Sequence, residues 1–145
     1  MRYLDTSSFV ALYYPEAKTE RLEAHLRRGR SRLPITWLHD LEFTNSLQLK
    51  VFREEGTESA VAATLTAIRA DIEAGFFFRA QVAWPAVFAG ALEMSSAYSR
   101  QLGTRTLDLL HVATACLLQA TEFITSDRRQ AELAKRKGLK VVLVT

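Results

Sequence analysis

The stretch TRTLDLLHVATACLL, Thr104 to Leu118, sets one carboxylate, Asp108, among Leu107, Leu109, Leu110, Val112 and Ala113. An unpaired charge in an apolar interior is strongly destabilising, so this acid either reaches a watered rim or meets a cation. Three more acids have similar surroundings. Asp5 follows Tyr3 and Leu4, Glu42 lies between Leu41 and Phe43, and Asp127 closes Phe-Ile-Thr-Ser. Others, such as Glu20, Glu23, Glu54, Glu55 and Glu58, sit in charged stretches. Carboxylates gathered in one place repel one another and must take up protons or bind cations. Oxygen donors without a Cys or His cluster suit a hard ion, Mg²⁺ or Mn²⁺. Magnesium is held by a few carboxylates together with substrate phosphates, which points to phosphodiester chemistry. On this view, neutralising Asp108 should stabilise the metal-free protein.

Each acid also has a plainer reading. Asp5 would cap a helix starting near Ser7, and Asp127 a helix over 128–137, with Ser126 competing for that place. Asp108 would be a first-turn acid favoured by the helix dipole. Glu42 would be a rim residue, and Asp40 is its rival as a ligand.

The elements that must position these acids alternate strand and helix. Short apolar runs at RYL, RLPIT, FFFRAQV, EFIT and KVVLV predict about five strands. Helices are expected at SSFVALYY, stopped by Pro15, and at KTERLEAHLRRG, stopped by Gly29. A long helix from Trp37 to about Glu54 carries Leu38, Leu41, Leu49 and Phe52, with a second apolar group at Phe43, Leu47 and Val51. Further helices follow at TESAVAATLTAIRADIEA, over 84–103 with Pro85 in its first turn, around Asp108, and at DRRQAELAKRK. The expectation is an α/β fold, one domain over residues 1–145, with a mostly parallel sheet of about five short strands and helices on both faces. In such sheets ligands bind at the carboxyl ends of strands, where Asp5 and Asp127 fall.

The 145 residues suffice for one core without staples. A single cysteine, Cys116, allows no internal disulfide, and the start MRYLDTSS has no signal-peptide h-region. No uncharged run is long enough to span a bilayer, so the expected location is cytoplasmic. Net charge is only +3, but arginines cluster at 27, 28, 30 and 32, and Arg128 and Arg129 follow Asp127. Such cations solvate helix ends or meet an anionic partner.

YLDTSSF, an acid in the helix after the second strand, RTLDLLHVATA and FITSDRRQAELAKRKGLKVV together resemble the PIN-domain ribonucleases, above all the VapC-type toxins of toxin–antitoxin pairs. The likeness runs along the whole chain and is most specific from Arg105 to Val142. It implies metal-ligating, catalytic acids at Asp5, Glu42, Asp108 and Asp127, choosing Glu42 over Asp40. It also implies that Ser7 and Thr125 orient carboxylates or water. Some members carry a further acid after the fourth; Arg128 and Arg129 stand there instead, which weakens the case for a second metal. The implied activity is Mg²⁺- or Mn²⁺-dependent endoribonuclease action of a toxin, with Arg128, Arg129 and Arg105 contacting RNA. His111, three residues after Asp108, is assigned a packing or hydrogen-bonding role.

The implied partners are RNA, a cognate antitoxin docking near Val10, Leu12, Tyr13, Leu22 and Leu26, and a second copy of the chain. The second apolar group of the 37–54 helix would need that copy. Alternatives are a PIN-type RNA-processing nuclease that is not a toxin, and a catalytically silent PIN-like interaction domain. A phosphoacceptor domain would want an acidic pair at the first strand and a late Lys. A dehalogenase-like phosphatase would want an acid where Ser7 stands.

Overall fold

The computed structural model describes residues 1–29 and 31–145; Arg30, one member of the 27–32 cluster, lies outside them. Its elements are β1 (Arg2–Leu4), α1 (Thr6–Ala11), α2 (Thr19–Arg27), β2 (Leu33–Ile35), α3 (Trp37–Phe52) and α4 (Glu58–Glu73). They continue as β3 (Phe77–Arg79), α5 (Trp84–Met94), α6 (Arg100–Leu102), α7 (Thr106–Leu117), β4 (Glu122–Thr125), α8 (Arg128–Arg136) and β5 (Lys140–Leu143). All strand pairings are parallel: β1 with β4, β4 with β5, and β2 with β3. β2 packs beside β1. The hydrogen-bonded sheets are β1-β4-β5 and β2-β3, and with β2 beside β1 the spatial order is β3-β2-β1-β4-β5; five parallel strands agree with the expected architecture.

That order reverses at β1. The chain leaves β1 toward β2 on one side and returns to β4 on the other, which opens a crevice at the carboxyl ends of β1 and β4. Successive side chains of these strands point to opposite faces. Leu4 and Ile124 enter one core with Phe9, Leu22, Ile35, Phe43, Leu47 and Phe77. Tyr3 and Phe123 enter the other with Val87, Leu110, Val112 and Leu133. Both faces are thus covered, and β2 and β4 are uninterrupted buried runs, whereas the edge strands β3 and β5 are partly exposed.

Several expectations need correction. The helix expected over 84–103 is α5, a π-helical turn at Ser95–Ser99, and α6, stopped by Gly103 at φ +63°. The third strand is shorter than FFFRAQV. On α3 the second apolar group faces inward, with Phe43 and Leu47 buried and Val51 packed against them, and of the first group only Leu38 is buried, in the other core. Trp37, Leu41 and Phe52 face outward, Phe52 at 82% exposure. Val10 and Leu22 also belong to the chain's own core and offer no docking surface.

Candidate active site

Asp5, Glu42, Asp108 and Asp127 line one cleft of about 360 Å³ at the carboxyl edge of the sheet, together with Arg105 and His111. Asp5 ends β1 and caps α1, its Oδ1 accepting from the Ser8 N–H at 2.8 Å. Its Oδ2 accepts the hydroxyls of Ser7 and Thr125, each at 2.9 Å. Thr125 Oγ1 in turn accepts from the Asp127 N–H at 3.0 Å. Asp127 caps α8 through Oδ1, which accepts from the Arg129 and Gln130 N–H groups at 2.8 and 3.2 Å. Its Oδ2 takes Nη2 of Arg105 at 2.9 Å. Cap and cleft are therefore not alternatives. A carboxylate has two oxygens, and these aspartates use one to start a helix while the other turns to the crevice.

Asp108, in the first turn of α7, is 2% exposed. Its Oδ2 accepts from the backbone N–H of Arg105 at 2.9 Å and its Oδ1 from the Gln130 amide at 3.1 Å. The Arg105 guanidinium adds longer contacts to both oxygens, at 3.3 and 3.4 Å. Burial alone would raise the Asp108 pKa; these donors outweigh it and hold the carboxyl below its usual range. The repulsion expected among the acids is thus opposed at Asp108 by donors from within the chain, the Arg105 N–H, the Gln130 amide and the Arg105 guanidinium.

Glu42 projects from α3, and its Oε1 accepts the Thr6 hydroxyl at 2.9 Å and the Nε2–H of His111. A carboxylate accepts here, so Nε2 carries the hydrogen and Nδ1 receives the Tyr3 hydroxyl at 2.9 Å. Burial foremost, then Glu42 and Asp5, pushes the Tyr3 pKa well up, so the phenol keeps its proton. His111 is 1% exposed and acts as the hydrogen-bonding support assigned to it. Asp40, the rival ligand, instead pairs with Arg79 and lines a different hollow.

The donor set fits a hard divalent cation: carboxylate oxygens and hydroxyls, with no sulfur. Arg105 bridging Asp108 and Asp127 marks where positive charge is accommodated. Among the described residues, no three acidic, imidazole or thiol groups already stand together at ligating separations. To be held here, a metal ion would have to draw the carboxylates closer together and displace the guanidinium.

Three supporting residues escaped the sequence reading. Gln130 holds Asp108, and Thr6 holds Glu42. Lys18 donates to Ser126 at 2.9 Å, and Ser126 lies 3.1 Å from Ser7. An ammonium only donates and a carboxylate only accepts, so the hydrogens in this chain run one way, from Lys18 to Asp5. Gln130 had a signal: Asp127-x-x-Gln130 has the spacing of a capping box, although the amide turns to Asp108 instead. Thr6 and Lys18 had none. Arg128 and Arg129 are exposed at the start of α8, Arg129 within 3.9 Å of Asp127.

Fold and site define an α/β domain that collects acids from four distant segments at the switch point of a parallel sheet. The PIN domain family model matches residues 2–136, and the chain belongs to that family. Its fold is shared with FitAcB from Neisseria gonorrhoeae, at 17% identity, a TM-score of 0.65, and coverage of 97% of this chain and 96% of that one. VapBC2 from Rickettsia felis, bound to a DNA fragment from its promoter, matches at 16% identity, a TM-score of 0.65 and full coverage of both chains. VapBC-1 from nontypeable Haemophilus influenzae matches at 16% identity and a TM-score of 0.63, covering 99% and 98%. No curated protein matches the chain in sequence. Among the described residues, no helix is long and apolar enough to cross a membrane.

Proposed function

We propose that this protein is a Mg²⁺- or Mn²⁺-dependent endoribonuclease that hydrolyses RNA phosphodiester bonds as the toxin of a toxin–antitoxin pair. The observation that carries the reading is the convergence of residues 5, 42, 108 and 127 on one polar cleft. Membership of the PIN family supports it, as do fold neighbours that are themselves toxin–antitoxin complexes, VapBC by name. The partners on this reading are RNA, an antitoxin laid across the cleft, and a second copy of the chain.

Asp5 and Asp108 would hold the principal ion, with Glu42 and Asp127 completing its surroundings. When bound, such an ion supplies Lewis-acid stabilisation of charge developing on a phosphate oxygen and activates water for attack. The chain's own residues do the rest. Ser7 and Thr125 fix the rotamer of Asp5, His111 and Thr6 fix that of Glu42, and Gln130 fixes that of Asp108. A carboxylate locked from behind presents its lone pairs in one direction, as catalytic electrostatics requires. Hydrolysis by water leaves a 5′-phosphate and a 3′-hydroxyl.

The test is incubation of purified protein with total RNA, with and without Mg²⁺, followed by mapping of the new 5′ ends. Cleavage that needs Mg²⁺ and disappears in Asp5→Asn is the expected result. RNA left intact under all conditions would leave a silent interaction domain, and cleavage persisting in Asp5→Asn would place the chemistry elsewhere.

Substrate phosphates need cations beside the acids, and Arg128 and Arg129 flank Asp127. Each phosphate contact on a single strand contributes about 0.7 to the slope of log K against log salt. Replacing both arginines by alanine should therefore weaken binding and flatten that slope by about 1.4. Binding is measured with metal withheld so that the RNA stays intact. An unchanged slope would remove both residues from the phosphate-contacting set.

A further inference from the structure

We infer that Arg105 is a built-in competitor for the cation seat: its guanidinium neutralises Asp108 and Asp127 until a divalent ion displaces it. The inference rests on the metal-dependent reading above and adds what sets the ion concentration at which the site loads. Nη2 of Arg105 lies 2.9 Å from Asp127 Oδ2, and Nε and Nη2 reach both oxygens of Asp108. One side chain thus bridges two acids supplied by α7 and by the loop before α8. A divalent ion needs those same lone pairs, and a planar guanidinium and an ion cannot share them. Binding of one therefore opposes binding of the other to the same extent, as linkage requires.

Two further features make displacement feasible. The Arg105 side chain is 62% exposed, whereas Asp108 is 2% exposed, so the guanidinium lies over the mouth of the cleft rather than inside it. The guanidinium is already largely in water and can leave without crossing the core, but it gives up two carboxylates in doing so, and that loss is what the ion has to overcome. The start of α7 does not depend on the side chain either. The backbone N–H of Arg105 donates to Asp108 Oδ2 at 2.9 Å, and the Gln130 amide holds Oδ1. The helix start and the Asp108 rotamer therefore survive departure of the guanidinium.

Titration of the metal-free protein with Mn²⁺ alone, followed calorimetrically, tests this. Arg105→Gln should bind Mn²⁺ at least about ten-fold tighter than the natural chain, the loss of one close opposing charge being worth that much. Arg105→Lys, which keeps the charge, should stay close to the natural affinity. In the natural chain, titration with diamagnetic Mg²⁺ should move the Arg105 side-chain NMR resonance to its solvent-exposed position as the ion binds. That measurement holds even if a variant fails to fold. Equal or weaker Mn²⁺ binding by Arg105→Gln, or an Arg105 resonance unmoved while Mg²⁺ binds, overturns the inference and leaves the metal site standing. Absence of Mn²⁺ binding to either protein overturns the metal-dependent function and this inference with it.

Discussion

Replacing Asp108 by asparagine is expected to abolish RNA cleavage and to lower the stability of the metal-free protein. Four acids in a low-dielectric cleft would repel one another, and removing one would then relieve the fold. The donors around Asp108 reverse that sign. A hydrogen bond to a charged group contributes about 1.5–3 kcal/mol, and leaving its buried partner unsatisfied costs about as much again in desolvation. The substituted amide can keep its Oδ1 on the Arg105 N–H. Its N–H₂ then faces the Gln130 N–H₂, which must flip to present Oε1, and the charged acceptor is lost at both contacts. The Arg105 guanidinium contributes least to the loss, because it is mostly solvent-exposed and screened. An expected destabilisation of about 2 kcal/mol therefore comes mainly from the buried Gln130 contact and the part-buried Arg105 N–H. Urea denaturation in the presence of a chelator measures it. A variant as stable as the natural chain, or more so, would show that repulsion dominates.

The expected sign differs from the one drawn from the sequence because a linear chain shows which acids are out of place but not what stands opposite them. Alternation of short apolar runs with helical spacings was enough for the parallel sheet and its covered faces, since both periods follow from backbone geometry. It was also enough to place Asp5 and Asp127 at strand ends. The partners were hidden for a different reason. Gln130 meets Asp108 across 22 residues, Thr6 meets Glu42 across 36, and Lys18 meets Ser126 across 108. Pairings of that separation are products of topology and leave no local period. Arg105, expected by resemblance to contact RNA, gains two carboxylate partners only when the return of the chain into β4 brings Asp127 beside it. On α3 the two apolar groups were visible, but which of them faced inward depended on where α1 and α4 lay. Phe43 and Leu47 won because they meet Phe9 and the α4 residues Val61, Leu65 and Ile68 in one core.

His39 shows how far such hidden contacts reach. It lies wholly buried on α3, one turn before Glu42, and its Nε2 lies 2.9 Å from the carbonyl oxygen of Leu4, the residue before Asp5. A carbonyl only accepts, so Nε2 carries the hydrogen and Nδ1 is left to accept from the N–H and hydroxyl of Thr36, at 3.2 and 2.9 Å. This neutral ring thereby ties the end of β1 to the start of α3 and sets the spacing between Asp5 and Glu42. Burial foremost, then the facing His111 ring, lowers its pKa from 6.5 to about 3. The unfolded chain takes up a proton below about pH 6.5, whereas the folded one does not until about pH 3. Stability is thus fully present above 6.5 and falls with pH through that window, because the unfolded state binds more protons there. The expected loss between pH 8 and pH 5 is about 2 kcal/mol, at about 1.4 kcal/mol per pH unit once below the unfolded value. His39→Gln removes the titrating group, so its unfolding free energy should be lower at neutral pH yet flatter across the same range. Urea denaturation of both proteins from pH 8 to pH 5 tests this. Parallel curves would mean that His39 keeps an ordinary pKa in the fold, and that something other than a neutral, buried imidazole holds Asp5 and Glu42 in register.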